Sequence, residues 1–176
     1  MHTPTHPSAR GFTLVETLVA IAILMIAIVG PYYSIQQAII ASFAARDQLI
    51  ASSLAQEGEE YIYFLRDRNY LQTTELNASG VTWLTGMDSC FTSYGCAVDP
   101  AQNTLTSCSS GGCSPLKLAT NGLYTQAGSY PSTRFTRTIK MQTMNAHEVQ
   151  VTVTVAWVTE HRTYSVTTVE ELYNWL

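Results

Sequence analysis

Charge is what this sequence has least of. Asp, Glu, Lys and Arg make up 12% of its 176 residues, about half the share usual in soluble domains. The 9 Lys and Arg against 13 Asp and Glu leave a net charge of −4, so the basic stripe that nucleic-acid binding needs is absent. Disorder is excluded as well, because 46% of the chain is hydrophobic. No Gly-x-Ser-x-Gly elbow, His-Glu-x-x-His pair or phosphate loop occurs. The four histidines offer no catalytic cluster: His2 and His6 lie at the extreme N-terminus, and His147 and His161 read as solvated strand-end residues. The acidic pairs Glu59/Glu60 and Glu170/Glu171 are adjacent in sequence, so their side chains diverge. We expect no enzyme, no cofactor and no metal. The polar share falls instead to 23 Thr and 15 Ser, a neutral, β-favouring surface that points away from the cytoplasm.

The scarce charges are also unevenly placed. Between Arg10 and Arg46 the only one is Glu16. The eighteen residues 12–29 carry no other charge and are mostly apolar, close to the ~20 needed to span a bilayer. With Arg10 before the run and no Lys or Arg after it until Arg46, the positive-inside rule puts the N-terminus in the cytoplasm and the rest outside. A cleaved secretory signal fits less well: the run is longer than the usual apolar core, carries an acid near its start and lacks an evident small-residue cleavage site after it. A soluble core helix would show a polar face, which this run lacks.

Glu16 is the anomaly. A carboxylate inside an apolar span costs roughly 2.5–3.5 kcal/mol and marks a functional residue by default. No Lys, Arg or His lies in the segment to pair with it. A cut after Gly11 would supply a cation, because it would leave the α-amino group of Phe12 one helical turn from Glu16, in the same chain or in a neighbour staggered by about a turn.

The string Arg10-Gly11-Phe12-Thr13-Leu14-Val15-Glu16, followed by an apolar run, resembles the class III signal of type IV pilins and pseudopilins. The match is close over 8–31 and looser over the general layout of a long helix followed by a β-rich head. The resemblance implies that a prepilin peptidase cuts on the cytoplasmic side between Gly11 and Phe12, and that Phe12 is then N-methylated. It makes Glu16 the assembly carboxylate. It implies as partners further copies of the chain or other pilins in a helical filament, the peptidase, a pilus assembly platform, and the inner membrane before assembly. The leader is compatible in length, though its two His and two Pro are a little unusual.

Gly30-Pro31 should break the helix, since proline removes a backbone hydrogen bond and clashes with the preceding turn. The break reads either as a simple kink at the membrane exit or, as the resemblance suggests, as a point that loosens on assembly. Beyond it, Ile35, Ile39, Phe43, Leu49, Ile50 and Leu54 recur at helical spacing, and charge returns from Arg46 onward. This predicts an amphipathic continuation ending near Arg68 and Asn69, with Tyr61, Ile62, Tyr63, Phe64 and Leu65 as core beneath a head.

The first part of the head, 70–130, is rich in Gly, Ser, Thr and Asn and weakly periodic. It holds all four cysteines, Cys90, Cys96, Cys108 and Cys113. An even count in an exported segment reads as two disulfides. Of three possible pairings, Cys90–Cys96 and Cys108–Cys113 are favoured because each closes a short loop; zinc is the rival, at spacings that suit it poorly. Asn77-Ala78-Ser79 fits a glycosylation sequon, a pattern that is common by chance. Further on, Val149, Val151, Val153, Val155 and Trp157 alternate with polar residues, a turn follows at 159–162, and Tyr164, Val166 and Thr168 continue the pattern. Phe135, Ile139 and Met141 alternate upstream with Thr136, Thr138 and Lys140. A three- or four-stranded antiparallel meander should lie on the helix, with 170–176 as a terminal turn anchored by Leu172, Tyr173 and Trp175.

The expected fold is therefore α+β: a leader 1–11, an apolar helix 12–30, its amphipathic continuation 31–69 and a disulfide-pinned β-rich head 70–176. The expected function is that of a structural subunit of a type IV pilus-like filament. It would be a single-pass membrane protein before assembly, and part of an extracellular pilus or an envelope-spanning pseudopilus afterwards. The alternatives are a minor pilin or a pseudopilin of secretion or DNA uptake, and a monomeric, membrane-anchored surface-binding protein.

Overall fold

The computed structural model describes residues 11–76 and 78–174. Residues 1–10 of the leader, Asn77 of the sequon, and Trp175 and Leu176 lie outside them. The chain divides into two units, Met1–Arg46 and Asp47–Leu176, while a single α-helix, α1 (Leu14–Thr74), is assigned across the boundary.

In the first unit, α1 is built from Leu, Ile, Val, Ala and Met, and every residue of 12–46 is exposed. The helix is long and apolar enough to cross a membrane. The expected break at Gly30 and Pro31 is not found: α1 runs through both residues. Two local facts explain this. The φ that proline imposes is itself helical, so the cost is confined to the Ala27 carbonyl, which loses its hydrogen bond and is crowded by the ring. The residue before a proline is normally pushed out of the helical region through its own Cβ, and Gly30 has none. The Ser34 hydroxyl also donates to the Gly30 carbonyl at 3.1 Å.

In the second unit, the remainder of α1 packs on an antiparallel sheet. Five strands, β1 (Cys96–Asp99), β2 (Thr104–Ser107), β5 (Phe135–Asn145), β6 (Glu148–Thr159) and β7 (Arg162–Tyr173), lie in the order β2-β1-β5-β6-β7. A separate two-stranded ribbon pairs β3 (Lys117–Leu118) with β4 (Tyr124–Thr125). The alternation along β6 produces the core directly. Val149, Val151, Val153, Val155 and Trp157 are buried, and they join Phe135, Ile139 and Met141 of β5 and Ala51, Leu54, Ala55, Ile62 and Leu65 of α1 in one cluster. Gly58 sits where the helix packs tightly on the sheet: a Cβ there would meet Arg137 Cδ at 3.1 Å, Val153 Cγ1 at 3.2 Å and Ile139 Cδ1 at 3.3 Å. This accounts for a residue that otherwise weakens a helix interior by about 1 kcal/mol.

Four expectations need correction. The helix does not end near Arg68 and Asn69 but at Thr74. Asn69 is a buried tether, whose Nδ2 donates to the carbonyls of Thr85 at 2.8 Å and Trp83 at 3.3 Å. Of the aromatic cluster on α1, Tyr61, Ile62 and Leu65 are buried, but Tyr63 is only partly so and Phe64 is 52% exposed, because five consecutive positions cannot share one helix face. The sheet gains two strands from the cysteine-rich region, since β1 is too short to show a period and is buried at all four positions. Finally, Glu170–Tyr173 is not a terminal turn: it continues β7, with Glu170 opposite Val151 and Leu172 opposite Val149. β6 is long enough to offer a partner for every one of those residues.

Candidate functional site: the start of the apolar helix

Gly11, Phe12 and Thr13 precede α1 and are not helical. Phe12 is 80% exposed, and nothing lies within 4 Å of the place where a Gly11 side chain would be. Thr13 caps the helix, its Oγ1 accepting the amide of Glu16 at 3.3 Å. The Thr17 hydroxyl donates to the Leu14 carbonyl at 2.8 Å. Thr13-Leu14-Val15-Glu16 is thus the Thr-x-x-Glu pattern of a capping box, a signal that the reading of Glu16 as an assembly residue passed over. Glu16 occupies the first turn, where the free amides of the helix end favour negative charge. Among the described residues its carboxylate forms no ion pair. The structure thus brings Gly11, Phe12 and Glu16 into one short exposed stretch, with the Gly11–Phe12 peptide bond outside the helix and the carboxylate just inside it.

The other candidate residues lie elsewhere. Cys90 is bonded to Cys96 and Cys108 to Cys113, and no described cysteine is free. The first bridge is fully buried, whereas the second lies in an exposed loop. His147 and His161 are exposed, at the β5–β6 and β6–β7 turns. Glu160 and His161 both have positive φ, 49° and 65°, which is the two-residue hairpin turn that suits the strand twist. Among the described residues no three His, Cys, Asp or Glu side chains gather in a way that could hold a metal.

Three buried charges escaped the sequence reading: Asp47, whose carboxylate accepts from Arg134 Nη1 at 2.9 Å, and Arg137 and Asp99. Arg137 stands on the inner face of β5, between Phe135 and Ile139, and is completely buried. Its Nη1 donates to the Leu54 carbonyl at 2.8 Å and to Glu57 Oε2 at 2.5 Å, and its Nη2 to the Val98 carbonyl at 3.0 Å. It therefore ties α1, β1 and β5 together. The signal was available, since strict alternation requires position 137 to point inward. Asp99, at the end of β1, accepts the Thr125 hydroxyl at 2.5 Å and the amides of Gln126 at 2.7 Å, Ala127 at 3.3 Å and Gln102 at 3.3 Å. Burial pushes its carboxyl up, but these hydrogen bonds together outweigh burial and hold it below its ordinary value.

Residues 7–30 match the family model described as the prokaryotic N-terminal methylation motif. The chain carries the methylation motif of prokaryotic prepilins. That motif is the class III signal of type IV pilins, and it supports a type IV pilin-like protein that is structural in character. The motif implies processing by a prepilin peptidase and pilus assembly. With the long apolar helix, it fits a membrane-anchored pilin. It covers residues 7–30 and none of the head. No curated protein and no solved structure matches the chain.

Proposed function

We propose that the chain is the precursor of a subunit of a type IV pilus-like filament. Prepilin peptidase cuts between Gly11 and Phe12, Phe12 is N-methylated, and the subunit leaves the bilayer by exchanging lipid around 12–30 for the apolar helices of neighbouring copies. In the filament Glu16 pairs with the Phe12 amine of a neighbour. A subunit out of register buries an unpaired carboxylate, at a cost of several kcal/mol, so the pair checks axial position.

The observation that carries this reading is the exposed stretch at the helix start. It holds a Gly-Phe bond free of helical hydrogen bonding, followed one turn later by a carboxylate without an ion-pair partner among the described residues. Mass spectrometry of protein sheared from cells tests it. A mature chain that begins at methylated Phe12 supports the proposal, and its abundance in the sheared fibres separates a major from a minor pilin. A processed chain that stays with the envelope indicates a pseudopilin. An intact N-terminus indicates a monomeric anchored binding protein and overturns the filament reading.

A further inference from the structure

The head contains a cavity of about 300 Å³ between the turn after β1 and the β3–β4 ribbon, at the lower end of the size range of small-molecule sites. Its polar lining comes from Gln102, Asn121, Thr125 and Tyr130. None of the residues lining it is charged. The nearby Lys117 ammonium is engaged by the Gly128 carbonyl at 2.7 Å, and the Asp99 carboxylate is committed to Thr125, Gln126, Ala127 and Gln102. Among the lining residues an ionic ligand would find no counter-charge. Amide and hydroxyl groups beside an aromatic ring instead suit a neutral polyol, which presents hydroxyls at its edge and C–H bonds on its face.

The walls are fixed in advance. Asp99 clasps both sides, the turn through the Gln102 amide and the ribbon through Thr125, Gln126 and Ala127. Such preorganisation reduces what a ligand loses on binding. The Tyr130 ring is positioned too. It lies against Gly128, whose φ is +72° and where a Cβ would come within 2.7 Å of the ring carbon Cε2. The ring can rest there because residue 128 has no side chain. Tyr130 is 38% exposed and lines the cavity, so its ring is accessible to a ligand there.

We propose that this cavity binds a single neutral sugar ring, stacked on Tyr130 and hydrogen-bonded by the side chains of Gln102 and Asn121. The site lies wholly in the head and is independent of whether the chain polymerises. On a surface filament it would give each exposed copy a weak glycan contact, multiplied by avidity along the fibre.

The test uses the full chain in a zwitterionic detergent without a sugar head group, and saturation-transfer NMR with glucose, galactose and N-acetylglucosamine as separate probes. Transfer to the ring protons of at least one sugar is expected. Tyr130→Ala and Gln102→Ala should each weaken that binding by about fivefold to tenfold, as loss of a stacking or hydrogen-bonding contact implies. Tyr130→Phe, which keeps the platform, should stay within about threefold. Tyr94→Ala, at an exposed tyrosine outside the cavity, should bind like the original chain. The far-ultraviolet circular dichroism of each variant reports whether the sheet is intact, and Gln102→Ala, which spares the backbone amide that Asp99 holds, keeps the question open to decision if Tyr130→Ala misfolds. Absence of transfer from all three sugars, or binding unchanged in both alanine variants at the cavity, overturns the proposal.

Discussion

Arg137 shows how much one residue can hold. A guanidinium with no exposure joins a helix carbonyl, a strand carbonyl and the carboxylate of Glu57. Arg137→Ala should lower head stability by about 3–5 kcal/mol, because it leaves a void and unpaired buried carbonyls. Glu57→Gln should cost less, about 1.5–3 kcal/mol, because glutamine keeps an acceptor for Nη1 and the Glu57 side chain is 39% exposed, although the buried guanidinium loses its carboxylate. Urea unfolding of the two variants checks both the ranking and the sizes. Asp99 makes a pH-dependent prediction of the same kind. Its carboxyl is held below the ordinary 3.8, so the ionised form is favoured in the fold. The stabilisation it provides is complete above the unfolded-state value and disappears as the pH falls through the lower, folded-state value. Asp99→Asn should therefore be less stable at pH 7 and lose less between pH 5 and pH 2 (about the span through which a carboxyl titrates). An acid titration that runs parallel for the two proteins would remove the clasp from the account. Neither charge was evident from composition: Arg137 shows itself only through the alternation along β5, and the partners of both, Gln102 apart, lie more than twenty residues away in sequence.

At the scale of elements, the two disulfides differ in burial and should differ in effect. Replacing Cys90 and Cys96 by Ser puts hydroxyls into a core where both sulfurs are fully buried, and should cost about 2–5 kcal/mol. Replacing Cys108 and Cys113, in the exposed loop, should cost less, and that bridge should yield first to a mild reductant. Thermal unfolding and timed alkylation measure the two effects. The β5–β6–β7 meander was legible because Val149, Val151, Val153, Val155 and Trp157 keep a strict period of two over nine residues. The local pairing of cysteines could be favoured from loop length alone. β1 and β2 were hidden because each is four residues long and neither alternates: β1 is buried at all four positions and β2 is nearly all exposed. The helix end was misplaced because Asn69 looks like a stop signal in sequence, whereas in the fold its amide is a tether to the loop at Trp83 and Thr85. The Gly30-Pro31 step was read as a break from the proline alone, whereas the helix is continuous through both residues and the glycine before the proline has no Cβ to clash with the ring.

For the whole molecule, the decisive contrast lies between a unit whose residues 12–46 are all exposed and a unit with its own core. A surface of uncovered Leu, Ile, Val and Met of that extent is stable only in lipid or against other chains. Under the filament proposal, Glu16→Ala should leave both removal of the leader and membrane residence intact while abolishing or greatly lowering incorporation. Immunoblots of membrane and sheared fractions test it, and normal fibre yield from the variant would remove the register check. The motif made the helix start legible from sequence, but the cap was not, since Thr13 was read only as part of a signature. That cap bears on what a peptidase has to do. The bond it would cut belongs to a short tail in front of the first turn, and Thr13 remains on the product side. Under the filament proposal, cutting there frees a new chain end at Phe12 while all of the described helix, Leu14–Thr74, stays on the product side, so the mature spine is the one the precursor already carries.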